Sequence, residues 1–218
     1  MDGLQKTNQT GALKILFEGA ITQTTLVDIG VVCVDEYHLL GKGAYGSVFK
    51  GKLGDRNVAI KQFKLDPSRI IDAMQEISIL KTCDMHENIV KYYGCKHQNE
   101  HLLIILEFCD LNLTNWVKNK SIEITPLEVL HQTTKGLSWL HHQKIVHRDL
   151  KPENILLTRK LVRVKLSDFG LSRQVADGHS HILTKNDAGT EGWLAPEILN
   201  QQLDESSNKF MFVSKTSC

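Results

Sequence analysis

The stretch His147-Arg148-Asp149-Leu150-Lys151-Pro152-Glu153-Asn154 gathers a carboxylate, a cation and an amide within eight residues. Asp149 can accept or orient the proton of an attacking hydroxyl, and Lys151 can neutralise charge on a transferring phosphoryl group. Asn154 offers an oxygen to a hard cation. Ser167-Asp168-Phe169-Gly170 follows, with Asp168 fourteen residues beyond Asn154. Its carboxylate suits a Mg²⁺ that bridges β- and γ-phosphates, and Gly170 lets the chain turn sharply. Alone, the octapeptide could be a polar loop after a helix. Its order and distance from Asp168 point to phosphoryl transfer.

Earlier in the chain, Leu40-Gly41-Lys42-Gly43-Ala44-Tyr45-Gly46-Ser47-Val48 contains G-x-G-x-x-G-x-V. Without Cβ atoms, its backbone amides can approach a polyphosphate. The motif lies between two strands, which separates it from a dinucleotide fingerprint, and it lacks the Gly-Lys-Ser/Thr of a Walker loop. Taken by itself it could be a plain hairpin turn. Val58-Ala59-Ile60-Lys61 ends fifteen residues past Gly46. Strand alternation puts Ala59 and Lys61 on one face and Val58 and Ile60 on the other. Glu76 is the natural counter-charge for Lys61, because it sits about 40° from Leu80, at the edge of an apolar helix stripe. Outside this company Lys61 and Glu76 would read as solvated charges.

The elements that must position these residues follow from periodicity. Strands are expected at Leu13 to Phe17 and Thr25 to Val34, and a hairpin from Leu39-Leu40 through the glycines to Ser47–Lys50. A turn at Gly54-Asp55-Arg56-Asn57 precedes a strand from Val58 to Phe63. Asp66-Pro67 starts a helix carrying Ile70, Met74, Ile77 and Leu80. Apolar runs at Ile89 to Tyr93 and Leu102 to Phe108 flank a polar turn, Lys96 to Glu100, and predict another hairpin. Thr125-Pro126-Leu127-Glu128 is a capping box that opens a helix through Leu130, Leu137 and Leu140. Strands with one helix, then helices, describe an α+β chain of two lobes, with the junction at Cys109 to Leu113.

Composition narrows the function classes. With 41% hydrophobic and 23% charged residues the chain is globular. Lys plus Arg number 26 against 25 Asp plus Glu, so no field for nucleic acid or anionic membrane is evident. Specificity must then come from a local site. Cys33, Cys83, Cys95, Cys109 and Cys218 form no CxxC pair, which argues against a zinc ribbon or disulfide framework and for free thiols in a reducing, cytoplasmic setting. The longest apolar run, Leu102 to Leu106, is far short of a membrane span. Lys14 and Glu18 interrupt the apolar stretch near Ala12 to Phe17, so no signal peptide is expected.

Gly189-Thr190-Glu191-Gly192-Trp193-Leu194-Ala195-Pro196-Glu197 completes the series, after a polar segment that contains Ser172, Ser180 and Thr184. The ordered set, covering about Tyr37 to Asn200, resembles the protein-kinase family. Lys151 and Thr190 resemble its Ser/Thr-specific branch. Leu106-Glu107-Phe108-Cys109, Gln132-Thr133-Thr134-Lys135-Gly136-Leu137 and Gly189 to Trp193 are similar to the kinase domains of the inositol-requiring, unfolded-protein-response kinase-endoribonucleases and of ribonuclease L.

The resemblance implies ATP and Mg²⁺ as cofactors. Leu40, Gly41, Gly43, Gly46 and Lys61 would hold the nucleotide, and Val48, Ala59 and Leu156 would sandwich its adenine. Glu107 and Cys109 would offer backbone groups to the base, with Leu106 guarding the pocket behind it. Asn154 and Asp168 would hold the metal. Leu80, His147 and Phe169 would stack in a hydrophobic column, and Arg148 would pair with a phosphate on the activation segment, at Ser172, Ser180 or Thr184, with Thr190 closing that segment. The partners implied are a protein substrate and, for trans-phosphorylation, a second copy.

The implied architecture is bilobal, with an N-terminal extension at 1–36, a β-rich N-lobe at 37–109, a helical C-lobe at 110–200 and a polar tail at 201–218. Only 21 residues follow Glu197, the difference between 218 and 197, so the C-lobe is expected to be incomplete. The aspartate that anchors the catalytic loop and the arginine that pairs with Glu197 in the family have no counterpart. That shortfall would expose Leu130, Leu137 and Leu140. It also raises the alternative of a truncated, non-catalytic nucleotide-binding or dimerisation module.

Overall fold

Successive antiparallel pairings in the first half of the chain build a five-stranded sheet. The computed structural model describes residues 32–43, 46–64, 67–98, 100–175, 181–184, 189–190, 192–194 and 209–212. The expected strand at Leu13 to Phe17 lies outside them, as do residues 25–31 of the next one. Strand β1 (Val32–Gly43) pairs with β2 (Gly46–Leu53), and Gly43 faces Gly46 at the hairpin tip. A Cβ at Gly46 would collide with the carbonyl oxygen of Gln62 on the neighbouring strand, so only glycine fits there.

Strand β3 (Arg56–Lys64) follows a two-residue turn, Gly54-Asp55, shorter than the four residues expected. Arg56 and Asn57 already pair with Leu53 and Lys52. Strands β4 (Tyr92–Gln98) and β5 (His101–Glu107) complete the sheet in the order β1-β2-β3-β5-β4. Leu102 to Leu106 are all buried, as an uninterrupted apolar run in an interior strand should be. Val58, Ile60, Leu103 and Ile105 form a core on one face, closed over by Val32.

The sheet corrects one expectation. Lys96, His97 and Gln98 belong to β4, not to a turn, because an edge strand tolerates polar residues. Ile89 instead forms a parallel bridge to Leu166, and Val90 N–H donates to Leu166 O at 3.0 Å.

Helix α1 (Pro67–Cys83) begins at the expected proline and buries Ala73, Glu76, Ile77, Leu80 and Cys83. Burial pushes the Cys83 thiol up to about 11, which keeps it protonated and inert. Strand β6 (Leu111–Asn112) leads into helix α2 (Leu113–Asn119), an element absent from the sequence expectation. Asn112 caps it by accepting from Asn115 N–H, and Lys120 ends it in the left-handed region at φ 48°. Helix α3 (Pro126–His142) starts at the predicted box, with Thr125 Oγ1 accepting from Glu128 N–H at 3.1 Å.

Its inner face differs from the leucine stripe expected. Val129, Gln132, Thr133, Gly136 and Leu140 are buried, whereas Leu130 is 62% exposed. Leu130 lies about 100° round the helix from Val129. At Gly136 the helix comes so close to β9 (Arg163–Leu166) that an added Cβ would sit 2.9 Å from a Leu166 methyl.

Among the described residues there are three further small sheets: β7 (Ile145–Val146) with β10 (Arg173–Gln174), β6 with β8 (Ile155–Thr158) and β9, and β11 (His181–Thr184) with β12 (Lys209–Phe212). The last places a strand inside the stretch expected to be a polar tail. Phe210, Met211 and Phe212 supply the apolar run that makes it one.

The chain divides into two compact units, residues 1–71 with 93–107 and residues 72–92 with 108–218. The β-sheet lies in the first and the helical elements largely in the second. Residues 72–92 group with the second unit because Leu166 N–H donates to Asn88 O and Arg173 pairs with Asp72. No helix among the described residues is long and apolar enough to cross a membrane.

Candidate active site

In the first unit, pairing brings Val48 opposite Lys61 and Lys61 opposite Ile104, while Ala59 stands opposite Leu106. Register partners share a face, so Val48, Ala59, Lys61 and Leu106 lie together on the side away from the Val58 and Ile60 core. Lys61 is only 6% exposed, and its ammonium sits 5.1 Å from the centre of the Phe63 ring. Gly41 and Gly43 lie near the end of β1 and Leu40 just before them. Glu107 ends β5, opposite Val58.

In the second unit, β7 delivers the chain into the loop 147–154 and a 3-10 turn, Pro152–Asn154, leads it out. The Asp149 carboxylate is buried, with a partner on each oxygen. Its Oδ1 accepts from the Thr190 hydroxyl at 2.6 Å. Its Oδ2 meets the Lys151 ammonium at 2.9 Å and accepts from Asn154 Nδ2 at 3.0 Å. Lys151 also donates to Thr190 Oγ1 at 2.7 Å, which closes a ring of three side chains. The Thr190 contact spans 41 residues of sequence and could not be read from spacing.

Asn154 Nδ2 further donates to Asp149 O at 2.7 Å, so both bonds use its nitrogen and leave its amide oxygen for another ligand. Ser167 N–H donates to Asn154 O at 3.0 Å, which ties the residue before Asp168 to Asn154. Among the described residues no cluster of three or more His, Cys, Asp or Glu could hold a metal alone. Mg²⁺ requires only one or two protein carboxylates when phosphates complete its shell, so the Asn154 amide and the Asp168 carboxylate fit it. Asp168 (φ 62°) and Arg148 (φ 68°) are both in the left-handed region, a strained conformation for residues with a Cβ.

His147 anchors the loop from beneath. Its Nδ1 accepts from Asp149 N–H at 3.3 Å, and its Nε2 is 3.0 Å from Ser167 O. The network assigns the proton to Nε2, so the ring is neutral. Its ring centroid lies 5.2 Å from that of Phe169, with the two planes tilted by 52°. Leu80 and Phe169, like His147, are buried. Leu156 is half-buried on β8, opposite Lys165, and Cys109 follows β5.

Burial lowers the His147 pKa below its ordinary 6.5; Ser167 O, Asp168 and Asp149 oppose this and Lys151 adds to it. Burial lowers His86 and His141 as well. An unfolded chain therefore binds protons near pH 6.5 that the folded chain does not. The stability these neutral rings contribute is complete above pH 6.5 and declines as pH falls below it. Urea midpoints should be lower at about pH 5.5 than at about pH 7.5. A midpoint that stays level or rises on acidification would contradict the assigned neutral rings.

The activation-segment residues separate. Ser172 has no exposed surface, and its hydroxyl donates to His147 O at 3.0 Å. That hydroxyl braces the loop and is not displayed as a phosphate acceptor, which corrects its place among the candidate modification sites. Thr184 lies in β11 opposite Lys209. Ser180 and the Ala195-Pro196-Glu197 motif fall outside the described residues.

Comparison with known proteins agrees with this geometry. A family model described as protein kinase domain matches residues 34–211. A sensor for unfolded proteins in the ER, ire1 of Schizosaccharomyces pombe, is 34% identical over 95% of the chain, which covers 21% of that protein. The serine/threonine-protein kinase/endoribonuclease IRE2 of Homo sapiens is 35% identical over 88% of the chain and 22% of its own length. The serine/threonine-protein kinase pakG of Dictyostelium discoideum is 40% identical over 75% and 14%. The chain thus spans about a fifth or less of the length of these relatives.

Proposed function

Because the chain belongs to the protein kinase family, we propose that it transfers the γ-phosphoryl group of Mg-ATP to serine or threonine hydroxyls of a protein substrate. The observation that carries this reading is the buried Asp149 carboxylate, bonded at once to Lys151, Asn154 and Thr190. An aspartate so oriented accepts from one hydroxyl already, and a substrate hydroxyl is the same kind of donor. Lys151, 2.9 Å away, stands where charge on a transferring group would be neutralised.

Each unit carries its own share of the roles. Within the first, the glycine hairpin with Leu40, the Val48 and Ala59 side chains, Lys61 and the Glu107 backbone are the nucleotide-binding candidates. Within the second, Asn154 and Asp168 are the metal-holding candidates, and Glu76, the Cys109 backbone and Leu156 keep the roles the family implies. Mg²⁺, when bound with the nucleotide, neutralises the phosphates. Catalysis by such a set is mostly positioning and electrostatic stabilisation.

The test is Mg²⁺-dependent incorporation of labelled phosphate from ATP into a generic Ser/Thr protein substrate. Asp168→Ala is expected to reduce it by about 10²-fold or more, since it removes a fixed oxygen ligand from the charge-stabilising site. A cooperatively folded parent that transfers no phosphate would overturn the reading.

A further inference from the structure

Helix α1 and the segment after Gly170 share contacts for which the catalytic roles above have no use. One Arg173 guanidinium nitrogen donates to Ser172 O at 2.9 Å, and the other lies 3.3 Å from Asp72 Oδ1. Gln75 Nε2 donates to the same Ser172 carbonyl at 3.4 Å. The Ser172 hydroxyl is turned inward to His147 O, and its N–H donates to Phe169 O at 3.0 Å. Beyond it, Arg173 and Gln174 pair with Val146 and Ile145, and Val175 N–H donates to Lys144 O at 2.7 Å.

Residues 172–175 are therefore held on two sides. One side is β7, which delivers the chain into the Asp149 loop. The other is α1, where Asp72 and Gln75 are three positions apart on one helix face and Glu76 is the next residue. A guanidinium suits this junction because its planar fork reaches a carbonyl and a carboxylate in different directions, which an ammonium on a single stem does not.

We propose that Arg173 is a positioning residue: with Asp72 and the Ser172 carbonyl it clamps α1 to the segment following Asp168, so that helix and segment become ordered together. The clamp sets the azimuth of α1, and hence of Glu76, four residues from Asp72. Its consequence for catalysis rests on the kinase reading; the clamp itself does not. Both side chains of the pair are about one-third exposed, 31% for Arg173 and 35% for Asp72, so solvent screens the attraction. The effect of losing it is correspondingly a few-fold one.

Hydrogen exchange on the full chain decides the matter, with Asp72→Asn, Arg173→Met, the double variant and Arg173→Lys. Each single neutralisation should speed amide exchange about two- to fivefold in both 72–80 and 172–175, and the double variant should add nothing further. Arg173→Lys should fail to restore the parent rate. In phosphate-transfer assays the same variants should lower kcat by a similar factor and leave KM for Mg-ATP unchanged, with melting temperatures close to the parent. Exchange that quickens only in the mutated segment, or additive single effects, would overturn the clamp. A parent chain without transfer would defeat the kinase reading alone, because the exchange measurement still reads the coupling.

Discussion

Replacing Asp149 with asparagine is expected to slow phosphoryl transfer by about 10²- to 10⁴-fold, the range for removing a positioned acid or base. The substitution keeps the shape of the side chain and its Oδ1 acceptor for Thr190. It turns Oδ2 into an amide nitrogen facing two donors, Lys151 Nζ at 2.9 Å and Asn154 Nδ2 at 3.0 Å. Each donor loses one of its two acceptors, since Lys151 keeps Thr190 Oγ1 and Asn154 keeps the Asp149 main-chain oxygen, so a local cost of about 1 kcal/mol accompanies the loss of chemistry. The comparison is kcat at saturating Mg-ATP and peptide, beside the melting temperature and the ATP affinity of each protein. The variant should bind ATP as the parent does and melt a few degrees lower. A folded Asp149→Asn protein with kcat within tenfold of the parent would remove Asp149 from the role assigned to it.

The legible part of this protein is the part written in uncommon residue types at short range. The Gly43–Gly46 hairpin tip, the Thr125 cap and the 147–154 loop are local patterns, and the structure contains all three where they were expected. What escaped is long-range or polar. Helix α2 has seven residues and buries only Trp116, so it leaves almost no periodicity, and Asn112 reads as readily as a turn residue as a cap. Apolar content alone places a strand at Ile89 to Tyr93 and misses most of β4, whose second half is polar. Helix α3 turns Gln132 inward because its Oε1 accepts from Asn88 Nδ2 at 3.1 Å and from Val164 N–H at 2.8 Å. No hydrophobic pattern signals a buried glutamine that a distant strand satisfies. Ser172 looked like a modification site by type alone; its burial depends on His147, 25 residues away. The Thr190 ring and the Arg173 clamp likewise join positions 41 and 101 residues apart.

The largest stability loss is expected at Phe169. The side chain is 1% exposed and packs on the neutral His147 ring, so Phe169→Ala should cost about 3–5 kcal/mol. Against a total stability of about 5–15 kcal/mol for a domain, that leaves the variant close to unfolding at ambient temperature. Leu130→Ala is the matched control: at 62% exposure it should change stability by no more than about 0.5 kcal/mol. Asp168, the residue before Phe169, has φ 62°, a conformation that costs about 1–3 kcal/mol and persists only while its surroundings enforce it. Phe169 is the neighbouring anchor that enforces it, so truncation should release Asp168 from that conformation even in molecules that remain folded. Urea unfolding gives the stability term, and Mg²⁺-dependent transfer normalised to the folded fraction gives the second. Transfer should fall further than the folded fraction does. If the two fall in parallel, Phe169 is packing alone; if Phe169→Ala costs no more than Leu130→Ala, it is not in the core at all.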